Sequence, residues 1–383
     1  MTRLQRHAVA AANVFDGESL RRDAAVIIEG TQICWIGPRA SVPPDMPVHT
    51  LRDDAWLAPG FIDLQVNGGG DVLFNADPTR TALKQMAAAH RRFGTTSLLP
   101  TLISSTREKM KTALCAVHDS RADPEILGLH FEGPFLSPEK PGVHDPSMIR
   151  QPVDIDLELL TALRPVPTLV TLAPEQVPVG FISALVRAGV RVSLGHSMAT
   201  YAQTKNALAD GMSGFTHLFN AMRPLGSRDP GPIAAALETH SVWFGMIVDG
   251  VHVDPAMLRL ALRSAATPLL VTDAMPPVGG APSFMLDGQR ITVQGHACVR
   301  ADGTLAGTAL DMATAVRNCV NLLGLPLPLA LRYASLEPAK FLGLDGEVGR
   351  LAPGCRADMV AFEPGDVRVL GSWLAGDWIC NAE

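Results

Sequence analysis

No two cysteines in this chain are spaced as CxxC, and the six present, Cys34, Cys115, Cys298, Cys319, Cys355 and Cys380, are scattered along 383 residues. That argues against a disulfide framework and reads as reduced, mostly buried thiols in a cytosolic protein. No run of about 18 uncharged apolar residues occurs, so no membrane-spanning helix is expected. The stretch after Met1-Thr-Arg-Leu-Gln-Arg-His is too short an apolar run for a signal peptide. No Lys/Arg run stands out and the net charge is −6, so neither nucleic acid nor an anionic membrane is an expected partner. An anionic small molecule would need a local cluster of donors. With 18% charged and 47% hydrophobic residues the chain is globular rather than disordered. A body of this length buries roughly 75% of its unfolded surface, so it needs neither disulfide nor metal merely to fold.

What is present is a repeated alternation. Strand-like runs fall at 61–66, 95–101, 126–132, 168–173, 191–196, 213–217, 243–249 and 268–273. Several are followed by helical-period segments: Pro78–Phe93, Thr106–Ser120, Phe181–Ala188, Tyr201–Ala209 and Asp254–Ala265. Eight such units predict an α/β fold, a parallel (β/α)₈ TIM barrel. A doubly wound open sheet is the alternative, but no Gly-rich phosphate fingerprint follows the first strand. Residues 274–306 break the pattern and read as a hairpin insertion. Short strands at both ends, such as Val26–Gly30 with Gln32–Gly37 and Gly354–Phe362 with Gly371–Ile379, predict a small β-sandwich domain of residues 1–56 plus 344–383, leaving 57–343 as the catalytic barrel.

Four barrel runs end on groups suited to metal-assisted hydrolysis: Glu132, His196, His217 and Asp273. Barrel active sites lie at those C-terminal strand ends. A hydrolytic metal needs ligands that leave a coordination position open, and a base beside it. Glu132, His196 and His217 suit the ligand roles and Asp273 the acid/base role. Singly, each has an ordinary reading as a hydrogen-bonded structural group or helix cap. The four together, at like positions on different strands, favour the catalytic one.

The stretches Pro59-Gly-Phe-Ile-Asp-Leu-Gln-Val-Asn-Gly, His130-Phe-Glu-Gly-Pro-Phe, Gly195-His-Ser-Met-Ala-Thr-Tyr, Thr216-His-Leu-Phe-Asn-Ala-Met and Val271-Thr-Asp-Ala-Met resemble the N-acetylglucosamine-6-phosphate deacetylase family of the amidohydrolase superfamily. The resemblance covers nearly the whole chain. It implies one divalent metal per subunit, with Zn²⁺ the expected ion, on Glu132, His196 and His217, and Asp273 as catalytic acid/base. Where many amidohydrolases carry His-x-His for a second metal, this chain has Gln65-Val-Asn67, a poorer pair of ligands. The resemblance further implies phosphate donors in Arg228, His252 and the backbone amides of Asn220 and Ala221, with Arg228 reaching a neighbouring subunit's site. Val143 and His144, and Leu305, Ala306 and Gly307, match substrate-contacting segments. His130 reads as support for the site.

The expected reaction is hydrolysis of N-acetylglucosamine 6-phosphate to glucosamine 6-phosphate and acetate, in amino-sugar catabolism and cell-wall sugar recycling, by a cytoplasmic homodimer. N-acetylgalactosamine 6-phosphate and a cyclic amide are the alternative substrates. A non-catalytic homologue would be expected to lose one of the four central residues, and all four are present.

Overall fold

The computed structural model describes residues 6–381. Met1–Gln5, which precede the run read above for a leader, lie outside the described residues. Compactness divides the chain into two units. One holds Leu64–Ala89 and Leu98–Leu310; the other holds the chain up to Asp63, His90–Ser97 and the chain from Asp311 onward.

Eight strands run parallel: Phe61–Val66, Thr95–Ile103, Leu129–Glu132, Thr168–Leu172, Arg191–Leu194, Gly214–Phe215, Trp243–Met246 and Thr267–Leu270, all within the first unit except Phe61–Asp63 and Thr95–Ser97. Each lies beside its sequence neighbour. A parallel bridge between Val66 and Ala274 brings the last strand's continuation back to the first. Helices cover the outer face of such a barrel and inward side chains fill the other, so its strands read as continuous apolar runs. Thr95–Ile103 is accordingly buried at every position. The helices between strands start where the chain supplies caps. Thr106 accepts a hydrogen bond from the Lys109 amide, Thr200 and Gln203 form a reciprocal capping box, and Asp254 precedes Pro255.

The insertion is larger than the sequence suggested. Ser283–Leu286, Gln289–Gln294, Ala297–Val299 and Leu305–Thr308 form a four-stranded antiparallel sheet. Its buried side, including Ile291, Cys298 and Ala306, packs with Met275 and Val143. The insertion therefore has an apolar core that reaches the segments carrying two sequence-predicted contacts.

The second unit is a largely antiparallel sheet drawn from both ends of the chain. Trp56–Pro59 joins them, pairing with Arg6–Phe15 on one side and Met359–Glu363 on the other. Val9, Val26, Ile28, Leu57, Met359 and Trp373 fill its core. The helices Met312–Asn321, Leu327–Ala334 and Leu336–Leu342 fall in this unit, although the sequence reading counted them with the barrel. Among the described residues no helix is long and apolar enough to cross a membrane.

Candidate active site

Each of the four central residues stands where a barrel strand ends. Glu132 closes the third strand; His196 and His217 each lie two residues past the fifth and sixth; Asp273 lies three past the eighth. His196, His217 and Asp273 have φ of +47°, +32° and +53°. Left-handed backbone at non-glycine residues costs on the order of 1–3 kcal/mol each and clusters where function demands it. The reversal ends the strand pairing and is the local feature these three side chains share.

The carboxylate and two imidazoles converge. Glu132 Oε1 lies 3.1 Å from His196 Nε2 and 2.9 Å from His217 Nε2, and the two nitrogens are 3.2 Å apart. All three residues are buried. His196 Nδ1 sits 2.8 Å from the Lys140 carbonyl, to which only an N–H can donate. With Nδ1–H donating there, Nε2 is the ring nitrogen turned toward Glu132 and His217. A carboxylate oxygen and an imidazole lone pair pressed together need a cation between them. The donor set of two nitrogens and one oxygen suits an open divalent site, and among the described residues these three bring their ligand atoms within 4.8 Å of one another.

Electrostatics follow from burial and from this convergence. Burial works to raise the Glu132 carboxyl, but the two imidazoles outweigh it and hold it well below the usual range. Desolvation first, and the Glu132 charge second, push Asp273 up to about 6, although one side of it faces the cavity. Gln65 Nε2 donates to Glu132 Oε2 at 3.2 Å and to Asp273 Oδ1 at 3.1 Å; Asn67 Nδ2 donates to the same Oδ1 at 2.6 Å.

A cavity of about 370 Å³ opens over this cluster. Asn67, Val143, His144, Asn220, Ala221, His252, Leu305 and Gly307 line it along with Glu132, His196, His217 and Asp273. His144 accepts at Nδ1 from the Ser104 amide at 3.2 Å, which leaves its proton on Nε2. Burial, then the neighbouring His196, lower its pKa to about 3, so the ring is neutral. His252 Nδ1 lies 2.6 Å from Asp249 Oδ2.

Two sequence-predicted contacts lie outside the cavity lining, and a third lines it with its amide already bonded. Ala306 is buried in the insertion core. Arg228 is exposed on its Gly/Pro loop and does not line the cavity. The Asn220 amide, expected as a phosphate donor, instead donates to the His217 carbonyl at 3.0 Å. The turn that carries His217 requires it. His130 is buried between Thr101 and Thr171, 3.1 and 2.8 Å from their hydroxyls, in keeping with a supporting place beneath the site.

Sequence reasoning missed four groups that hold the site. Ser104 fixes His144, and Asp249 fixes His252. Glu175 accepts from the Ser197 hydroxyl at 2.7 Å and the Met198 amide at 2.6 Å, anchoring the turn after His196. Arg300 of the insertion donates to the Val143 carbonyl at 3.1 Å. Of these only Asp249 left a signal, three residues ahead of His252 in the same short loop.

A convergent Glu/His/His set with an adjacent carboxylate at barrel strand ends is a family-level feature. The sequence profile described as Amidohydrolase family matches residues 56–379. This chain belongs to that family. Among its relatives, the N-acetylgalactosamine-6-phosphate deacetylase of Shewanella sp. is 39% identical over 379 residues, covering 97% of this chain and 95% of its own. The N-acetylglucosamine-6-phosphate deacetylase of Haemophilus influenzae is 34% identical over 380 residues, covering 97% and 99%. The crystal structure of N-acetylglucosamine-6-phosphate deacetylase from Pasteurella multocida matches with a TM-score of 0.94 at 37% identity, covering 98% of this amidohydrolase and all of that chain.

Proposed function

We propose that this amidohydrolase removes the acetyl group of N-acetylglucosamine 6-phosphate, giving glucosamine 6-phosphate and acetate. The observation that carries the reading is the meeting of Glu132, His196, His217 and Asp273 at one cavity. Full-length likeness to deacetylases of hexosamine phosphates supports the substrate class. Glu132, His196 and His217 would hold a divalent ion, proposed as Zn²⁺. Bound there, such an ion supplies Lewis acidity to the acetyl carbonyl and to an attacking water.

The remaining steps belong to the chain's own groups. Asp273 takes a proton from water as its oxygen adds to the carbonyl carbon. It returns that proton to nitrogen as the C–N bond breaks, leaving acetate and a free amine. Its raised pKa suits both transfers near neutral pH. His144 presents Nε2–H as a donor to the substrate. His252, oriented by Asp249, and the Ala221 amide bind the phosphate, with Val143, Leu305 and Gly307 shaping the sugar subsite. Arg228 serves the site of a second copy in a homodimer, in keeping with its exposure on the single chain. The catalytic barrel lies within 57–343 and the β domain comes from 1–56 with 344–383, the helices Met312–Asn321, Leu327–Ala334 and Leu336–Leu342 grouping with the β domain's unit, in a cytoplasmic enzyme.

The 39% identity to the Shewanella relative supports a second reading, N-acetylgalactosamine 6-phosphate as substrate. Acetate release by Zn²⁺-reconstituted protein tests both, using the two epimers with and without phosphate. Release from phosphorylated sugars only is the expected result, and the faster epimer names the substrate. Equal rates without phosphate would defeat the phosphate anchor.

A further inference from the structure

We propose that Gln65 and Asn67 are positioning residues that clamp Asp273 through Oδ1, leaving Oδ2 to carry the proton, and that they do not hold a second metal ion. The inference deepens the deacetylase reading and rests on it.

The register of the first barrel strand makes the clamp. Val66 bridges Ala274 in parallel, and the Asn67 and Gly68 amides both donate to the Ala274 carbonyl, at 2.8 and 2.9 Å. The end of the first strand is thereby tied to the residue that follows Asp273. Side chains alternate along a strand, so positions 65 and 67 share one side and 66 takes the other. Both amide –NH₂ groups then reach the same oxygen of Asp273, at 3.1 and 2.6 Å.

The direction of these bonds follows from charge. Turning either amide over would set its carbonyl oxygen against a carboxylate at hydrogen-bond distance, acceptor against acceptor. Asp273 therefore commits both –NH₂ groups to itself. A cation beside Asp273 Oδ1 would face the N–H hydrogens of both amides, and the one lone-pair donor left to it by Asn67 is that residue's own Oδ1, a neutral amide oxygen buried without a hydrogen-bond partner and a poor substitute for imidazole. Gln65 also donates to Glu132 Oε2 at 3.2 Å, so a single amide spans the acid/base and the carboxylate whose other oxygen meets the two imidazoles. Gln65 and Asn67 are buried, which keeps these bonds free of competing water. With Oδ1 occupied twice, the carboxyl cannot rotate without losing both bonds, and Oδ2 is the oxygen left for proton exchange.

The test uses Gln65→Met and Asn67→Leu, which keep bulk and remove the donors. Bound ions per chain are counted by elemental analysis after saturation with Zn²⁺ and removal of excess. Turnover on the substrate found above is resolved into kcat and KM. One ion per chain is expected in wild type and in both variants. For Asn67→Leu kcat should fall about 10- to 100-fold, the scale of a misaligned catalytic group, with KM within about threefold of wild type. Two ions in wild type, with one lost on substitution, would overturn the inference. So would an unchanged kcat, or a loss seen only in KM. If a variant is insoluble, the wild-type ion count still decides, since two ions defeat the clamp and one supports it. Failure of the functional reading looks different: wild-type protein that releases no acetate from any N-acetylhexosamine 6-phosphate.

Discussion

In the core of the terminal sheet, Val9, Val26, Ile28, Leu57 and Trp373 bury side chains with almost no polar demand. At the barrel mouth, Glu132, His196 and His217 are buried as deeply and carry charge or unshared lone pairs. The sheet gains stability from every side chain it hides. The mouth loses some, through desolvated polar groups and three left-handed backbones, and holds them because strand pairing on either side leaves no easier conformation. Stability and activity should therefore separate by region.

The sharpest test of that separation is Asp273→Asn. It keeps shape and both amide contacts available but removes the proton shuttle. Turnover should fall about 10²- to 10⁴-fold with substrate affinity and melting temperature little changed. Calorimetry beside steady-state kinetics decides it; an active Asn variant would sink the assigned role. The converse is Trp373→Ala in the sheet. Trp373 is 1% exposed, and its removal should cost about 3–5 kcal/mol of stability. The folded fraction should keep the wild-type kcat. A large fall in kcat at full folding would break the comparison.

A smaller effect probes how the mouth is braced. Gly142 has φ +57°, and a Cβ there would lie 2.9 Å from His196 Cε1. The same loop supplies the Lys140 carbonyl that fixes His196. Gly142→Ala should cost about 1–2 kcal/mol from the backbone alone. It should also weaken zinc retention against a competing chelator, because the ring must move. Unchanged ion affinity would show that the loop yields instead of His196.

The parts of this design legible in the sequence are those set by one strand at a time. Apolar runs ending on Glu132, His196, His217 and Asp273 announced both the barrel and its site, even where the sixth strand is only Gly214–Phe215. The braces were hidden because they depend on neighbours far along the chain. Glu175 reaches Ser197, Ser104 reaches His144 and Arg300 reaches Val143, and no periodicity encodes such pairs. The bond from the Asn220 amide to the His217 carbonyl was hidden for a related reason, since it belongs to the geometry of a tight turn. The grouping of the helices from Met312 to Leu342 with the terminal sheet depends on packing, which no linear pattern encodes.

The smallest predicted effect belongs to the sheet. His7 lies on its first strand, and desolvation, followed by the charge of His49, lowers its pKa below 6.5. The register explains the second cause: Ala8 pairs with Val48 and Val9 with His49. The unfolded chain therefore takes up a proton at a higher pH than the folded one. As pH falls through 6.5 toward the folded value, the unfolded state gains the proton first, and stability drops. Above 6.5 both states are neutral and the penalty vanishes. Melting temperatures at about pH 7.5 and about pH 5.5 should differ less for His7→Gln than for wild type. Because His7 is only half-buried, the difference should be small beside that from Trp373→Ala. An equal acid sensitivity in the variant would move the cause to other groups, and the sheet core would then be as indifferent to protons as its apolar side chains suggest.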